Sequence, residues 1–411
     1  MKNVRKVLVL VLALMFILPL LPLRAEEPSV RITLMQSKTE IQSDFEEVIA
    51  AFHEEHPEIE VELLGTSGDN FATVLQSNFS SDPAEAPTIF TISGVDTEMF
   101  ESFFAPLDDT EAAALLPDNL KNYVTLDDQL VGLPLGVEGY GFIYNVDMFD
   151  EAGVDPESLT DIDSFVEALA TLAEVEGVEA PIGFAMENYF SFVHFFNWGP
   201  ALTENYAEEL QKVVDEEQTL ADIPAVQAWA DALAEIAPYT NKALVSYDDQ
   251  IAGFGVGQYA MIHQGVWAQQ VLDQNEVDFA YDFLAYPLEG NDKMPVGPAT
   301  AWRVNNAATE EQQDAAKLFL DWLITSDTGQ ELSADLLNTI PAYRDVKAPE
   351  GHLTEAVARF VSEGATIDWV FNTDFPAGID VGGAEAMQKF YADRIDSNEL
   401  LDELTIAWQR D

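Results

Sequence analysis

The chain has 411 residues, and its 74 Asp and Glu against 18 Lys and Arg give a formal charge of −56. So negative a surface repels a polyanion and excludes nucleic acid as a partner; it fits either adaptation to high salt, where self-repulsion is screened, or a plain solubilising surface. The sequence contains no cysteine, which removes disulfides, thiolate metal sites, a Cys nucleophile and a lipidated Cys anchor.

Residues 1–25 read as a secretory signal. Lys2, Arg5 and Lys6 supply the positive start, Val7 to Leu21 the apolar run, and Leu23-Arg24-Ala25 a small-residue cleavage site. Pro19 and Pro22 interrupt the run, which favours a cleaved signal over an anchor of about 20 apolar residues. The mature chain is expected to begin near Glu26, exported and without a lipid. What remains is too long for one ordinary core and suits two lobes.

Val30, Ile32 and Leu34 alternate as in a half-buried strand, and Ile41, Phe45, Val48 and Phe52 fall on one helical face. Ser37-x-x-Glu40 has the spacing of a capping box for that helix. Ile59, Val61 and Leu63 resume the alternation, Asp69 can cap a helix through Phe71, Val74 and Leu75, and Thr88 to Ile92 reads as a buried strand. This βαβαβ series predicts a parallel sheet whose ligand-facing loops follow the strand C-termini, here Gln36-Ser37-Lys38 and Ser93-Gly94-Val95-Asp96.

Gly132-Leu-Pro-Leu-Gly136 breaks the pattern, and a second α/β series follows. It comprises a strand at Gly141 to Tyr144, a helix from Asp163 to Glu174, a strand at Pro181 to Ala185, a helix from Ile223 to Ile236, and strands at Gln258 to His263 and Phe279 to Tyr286. Pro295-Val-Gly-Pro298 reads as a further crossing, after which Thr309-x-x-Gln312 caps a helix carrying Ala316, Phe319, Leu320 and Leu323. Lobes joined by several short crossings can hinge around a ligand.

Pro134-Leu-Gly-Val-Glu-Gly-Tyr-Gly-Phe-Ile-Tyr-Asn-Val-Asp-Met-Phe-Asp150 resembles the signature of the family 1 extracellular solute-binding proteins of ABC transporters, which include the maltose- and oligosaccharide-binding proteins. Phe52-His-Glu-Glu-His-Pro-Glu-Ile-Glu-Val61 is similar to that family's first helix and second strand, and Gly257-Gln-Tyr-Ala-Met-Ile-His-Gln-Gly-Val-Trp267 to a second-lobe strand ending at a ligand-facing Trp. The absent lipidated Cys is a departure from many relatives. The resemblance implies a bilobal α/β periplasmic-binding-protein fold, with residues 26–136 plus 300–344 in lobe one and 137–299 plus 345–411 in lobe two. It further implies a sugar in the interlobe cleft, ABC permease subunits as partners, a monomer, no cofactor, no chemistry, and a periplasmic or extracellular site of action. By position it makes Glu138 a sugar-binding carboxylate and Trp267 an aromatic platform.

A pyranose has an apolar C–H face and a rim of hydroxyls, so its receptor needs flat rings and planar hydrogen-bonding side chains. Trp198, Trp267, Trp302 and Trp369 lie in loop-like or crossing segments and are candidate platforms, whereas Trp229, Trp322 and Trp408 lie in helical runs and read as core. Gln36, Ser37, Asp96, Asn372 and Asp374 are further candidate ligand contacts, each with an alternative role in a cap or turn. His53 and His56 lack the His-Glu-x-x-His spacing of a zinc pair, and there is no Gly-x-Ser-x-Gly elbow or phosphate loop. A glycosidase needs only two carboxylates at the right separation, so an acidic chain does not exclude one by composition. The closer competitor is a polyamine receptor, which also combines aromatic walls with carboxylates.

Overall fold

The computed structural model describes residues 28–409 apart from 40, 66–69, 93, 299, 336, 338–339 and 344–348. The expected signal segment and Asp69 lie outside these residues. Two mixed sheets organise the chain, each with its own core. The first takes β1 (Val30–Met35), β2 (Ile59–Leu64), β3 (Ile89–Ile92), β4 (Leu133–Pro134) and β10 (Ala301–Val304), in the order β2-β1-β3-β10-β4. The second takes β5 (Val137–Asn145), β6 (Ala180–Gly183), β7 (Tyr259–Gly265), β8 (Tyr281–Leu284), β9 (Met294–Pro298) and β11 (Thr366–Ile367), in the order β11-β9-β5-β7-β6, with β8 also paired to β5.

The alternating apolar residues of β1 place Ile32 and Leu34 against Phe45, Val48 and Phe52 of helix Asp44–Glu55, and all five are fully buried. The expected βαβαβ unit is parallel, with Val30 opposite Ile59 and Leu34 opposite Ile89. In the second sheet, whose strand directions the sequence left open, β5 runs antiparallel to β7, β8 and β9. Apolar alternation looks the same in either direction, so the residues alone did not distinguish them. The helix after β1 begins at Asp44 with no side-chain cap, and the box expected at Ser37 involves Glu40, which lies outside the described residues; Thr309 and Gln312 do form the reciprocal box, at 3.3 and 3.1 Å.

The crossings between the sheets lie side by side. Leu135 N–H donates to Thr300 O at 2.8 Å, Val137 N–H to Ile340 O at 2.7 Å, and Tyr343 Oη to Pro134 O at 2.7 Å. These bonds tie the connecting strands into one strip at the base of the cleft.

Candidate functional site

The loops after β1 and β3 form one wall of the cleft. Gln36 is buried and turned back on its own loop: its Nε2 donates to Lys38 O and Gln42 Oε1, each at 2.7 Å, and its Oε1 accepts from Lys38 N–H. Ser37 N–H donates to Thr91 Oγ1 at 2.9 Å, and that hydroxyl donates to Ser37 Oγ at 3.3 Å. Both residues brace the loop that presents Lys38. From there Lys38 reaches across the cleft, its Nζ 2.6 Å from Glu138 Oε1 and 5.6 Å from the Trp267 ring centroid. Gln270 Nε2 adds a second link across the cleft by donating to Asp44 Oδ2.

The opposite wall is aromatic. Trp267 follows β7 and lies flat against Gly265, where a Cβ would sit 2.2 Å from the ring. Its Nε1 donates to Gln264 Oε1 at 2.8 Å, Gln264 Nε2 to Gln250 Oε1 at 2.7 Å, and Gln250 Nε2 to Gly183 O at 2.7 Å. This relay of buried amides fixes the indole in one orientation, as a ligand platform requires. His194 (5.1 Å), Phe190 (5.9 Å, 18° between planes) and Tyr140 (6.5 Å) surround it. Trp369 joins the same cluster, 5.5 Å from Tyr140 and 5.1 Å from Phe371, lying over Gly297, where a Cβ would be 2.5 Å from its ring. Asn197 holds the Trp369 loop by donating to Asp368 O at 3.1 Å and accepting from Val370 N–H at 2.9 Å.

At the far end the walls meet at Gly94, whose φ of +60° lets the backbone pass beneath the Tyr189 hydroxyl and Asn372 Oδ1. Asn372 also donates to Pro298 O at 3.3 Å, and Asp374 accepts from Thr373 Oγ1 at 2.5 Å. Asp96, on the 3-10 helix Gly94–Phe103, is pushed up to about 7 by burial and then by Asp380, which Asn188 Nδ2 holds at 3.0 Å. Burial, reinforced by His263 and Lys38, holds His194 well below the usual imidazole range and keeps it uncharged.

The structure sets Glu138 and Trp267 on either side of Lys38, puts Trp369 in the aromatic cluster that holds Trp267, and places Asn372 and Asp96 next to Gly94; Trp267 and Trp369 are nearly buried, at 8% and 4% exposed. Trp302 is fully buried in the first core, 5.5 Å from Phe45. Trp198 is fully buried in the second, its Nε1 directed at His263 Nε2 at 3.4 Å. Lys38, Tyr140, Tyr189, Phe190 and His194 stand against Glu138, Trp267 and one another and were not singled out from sequence. Among the described residues no group of three or more His, Cys, Asp or Glu is placed to hold a metal, and no helix is long and apolar enough to cross a membrane.

Residues 47–360 match the family described as bacterial extracellular solute-binding protein. The chain belongs to that family. Among relatives of this solute-binding protein, an uncharacterized ABC transporter extracellular-binding protein of Pyrococcus horikoshii is 23% identical over 264 residues, 62% of this chain and 59% of that one. The xylose/arabinose-binding protein XacG of Haloferax volcanii is 26% identical over 259 residues, 58% of this chain and 54% of that one. The chain thus spans less than two thirds of the length of the curated relatives it matches. The same fold occurs in the solute-binding protein RafE in complex with raffinose, with a TM-score of 0.76 at 16% identity over 92% of this chain and 98% of that one. A chitin oligosaccharide binding protein gives 0.76 at 20% identity, and maltose-bound MalE3 of T. maritima gives 0.72 at 16%, both covering 92% of this chain and 98% of theirs.

Proposed function

We propose that this solute-binding protein is exported, captures a sugar or oligosaccharide in the cleft between its lobes, and delivers it to the permease of an ABC importer. The observation that carries the reading is the Trp267 platform, laid flat on Gly265 and locked by the Gln264–Gln250 relay, with the Glu138–Lys38 pair at its edge. A flat apolar face beside charged hydrogen-bonding groups matches the C–H face and hydroxyl rim of a pyranose. Xylose/arabinose in one relative's name and raffinose, chitin oligosaccharide and maltose in those of structural neighbours support the class. Lobe boundaries near 136, 300 and 344, hinging at the bonded crossings, a monomeric state and release without a lipid anchor belong to the same proposal.

The Lys38 position weighs against the polyamine alternative. Glu138 is already paired with an ammonium at 2.6 Å, so the carboxylate a polyamine would need is neutralised, whereas a neutral sugar needs no charge partner. A thermal-shift panel of xylose, arabinose, maltose, raffinose, chitin oligosaccharides, putrescine and spermidine tests the proposal. Ligand at 100 times its Kd stabilises the folded state by about 2.7 kcal/mol, so at least one sugar is expected to raise Tm by several degrees. A shift with polyamines alone would overturn the sugar reading.

A further inference from the structure

The aromatic wall contains a local departure from α-helical geometry. Tyr189–Val193 is a single π-turn. Ser191 N–H donates to Glu187 O at 2.8 Å with ordinary spacing, His194 N–H donates to Tyr189 O five residues back, and Asn197 N–H returns to ordinary spacing on Val193 O at 3.1 Å. In an α-helix each residue turns about 100°, so Tyr189 and His194 would point about 140° apart. A π-turn advances roughly 80° per residue and reduces that angle to about 40°.

The consequence is visible in the rings. Tyr189 and Phe190 lie 5.6 and 5.8 Å from His194, Phe190 stacks toward Trp267, and the Tyr189 hydroxyl reaches Gly94 on the other side of the cleft. Meanwhile Ser191, Phe192 and Val193 are wholly buried, with Phe192 seated so closely on Gly383 that a Cβ there would lie 2.3 Å from its ring. One extra residue lets a single short segment serve the core on one side and the cleft on the other.

We propose that this π-turn is the specificity-determining element of the cleft: it gathers Tyr189, Phe190 and His194 onto one face, and that face selects which saccharide the Trp267 platform accepts. The proposal rests on the sugar-binding reading of the same cleft. The face offers a hydroxyl at its rim, a flat ring beside Trp267 and an imidazole that hydrogen-bonds without carrying charge, a combination suited to a neutral polyhydroxylated ring.

Tyr189→Phe and Phe190→Leu each alter this face from the side chain alone, and Ser191→Ala, on the buried side of the same turn, is the control. The three variants and the native protein are titrated calorimetrically with the sugar panel, with circular dichroism confirming that each is folded. Tyr189→Phe and Phe190→Leu are each expected to weaken the preferred sugar severalfold and to reorder the panel, while Ser191→Ala behaves like the native chain. An unchanged rank order in both face variants, with the native protein binding, would overturn the proposal. A native protein that binds none of the panel fails the functional reading, and this proposal with it.

Discussion

Lys38 and Glu138 approach to 2.6 Å with side chains 14% and 8% exposed, and they come from opposite sides of the cleft. Removing one partner of a buried pair leaves the other uncompensated. Opening the cleft would return that charge to water, so the penalty falls on closure rather than on folding. Lys38→Met and Glu138→Gln are each expected to weaken sugar binding, and the double variant to lose less than their sum, with a coupling of about 1 kcal/mol or more. Calorimetry on the four proteins checks this, and additive losses would contradict it. Glu138 and Trp267 each sit in a recognisable motif, and the structure places both beside Lys38. Lys38 itself was not singled out, because a basic residue in a short loop carries no pattern and its partner lies far along the chain. Trp198 and Trp302 show the reverse: an aromatic residue next to Gly, Pro or a crossing reads the same whether its ring faces a cleft or a core.

At the level of elements, apolar periodicity was a sufficient guide to β1, β2 and the helix between them, which bury a face on one core, whereas β3 is buried on both faces and was legible as a continuous apolar run. The Thr309 box was equally legible, being closed entirely by residues three apart. Before the helix between β1 and β2, which starts only at Asp44, the Gln36 bonds and the Ser37 contacts to Thr91 hold the backbone in a loop that the sequence spacing did not announce. Long-range bonds of that kind leave no local trace. The π-turn is hidden for a related reason: its rings fill two environments at once, so the run from Tyr189 to Phe196 shows neither a clean helical stripe nor a loop composition.

For the whole molecule, the account depends on two lobes closing on a ligand, and Asp96 gives that closure a pH signature. Its carboxyl is raised to about 7 chiefly by burial and then by Asp380, with Asn188 holding Asp380, and Tyr189 and Asn372 beside the adjoining Gly94. In an open cleft, away from Asp380 and in water, the same group reverts toward its ordinary value. The closed state is then unpenalised below that ordinary value, loses stability as pH rises through the interval, and carries the full penalty above about 7. Sugar affinity is expected to increase severalfold from pH 8 to pH 6, and Asp96→Asn to flatten the dependence. A native profile that is flat, or that rises with pH, would contradict this assignment.

The central claim is that the cleft holds a sugar on Trp267. It is tested most directly by calorimetric titration of the sugar giving the largest thermal shift into the native protein and into Trp267→Ala, with circular dichroism confirming that the variant is folded. Truncation removes a large flat contact that no neighbouring polar group replaces, and the account predicts affinity at least tenfold weaker, about 1.4 kcal/mol. Unchanged affinity in the folded variant would contradict it.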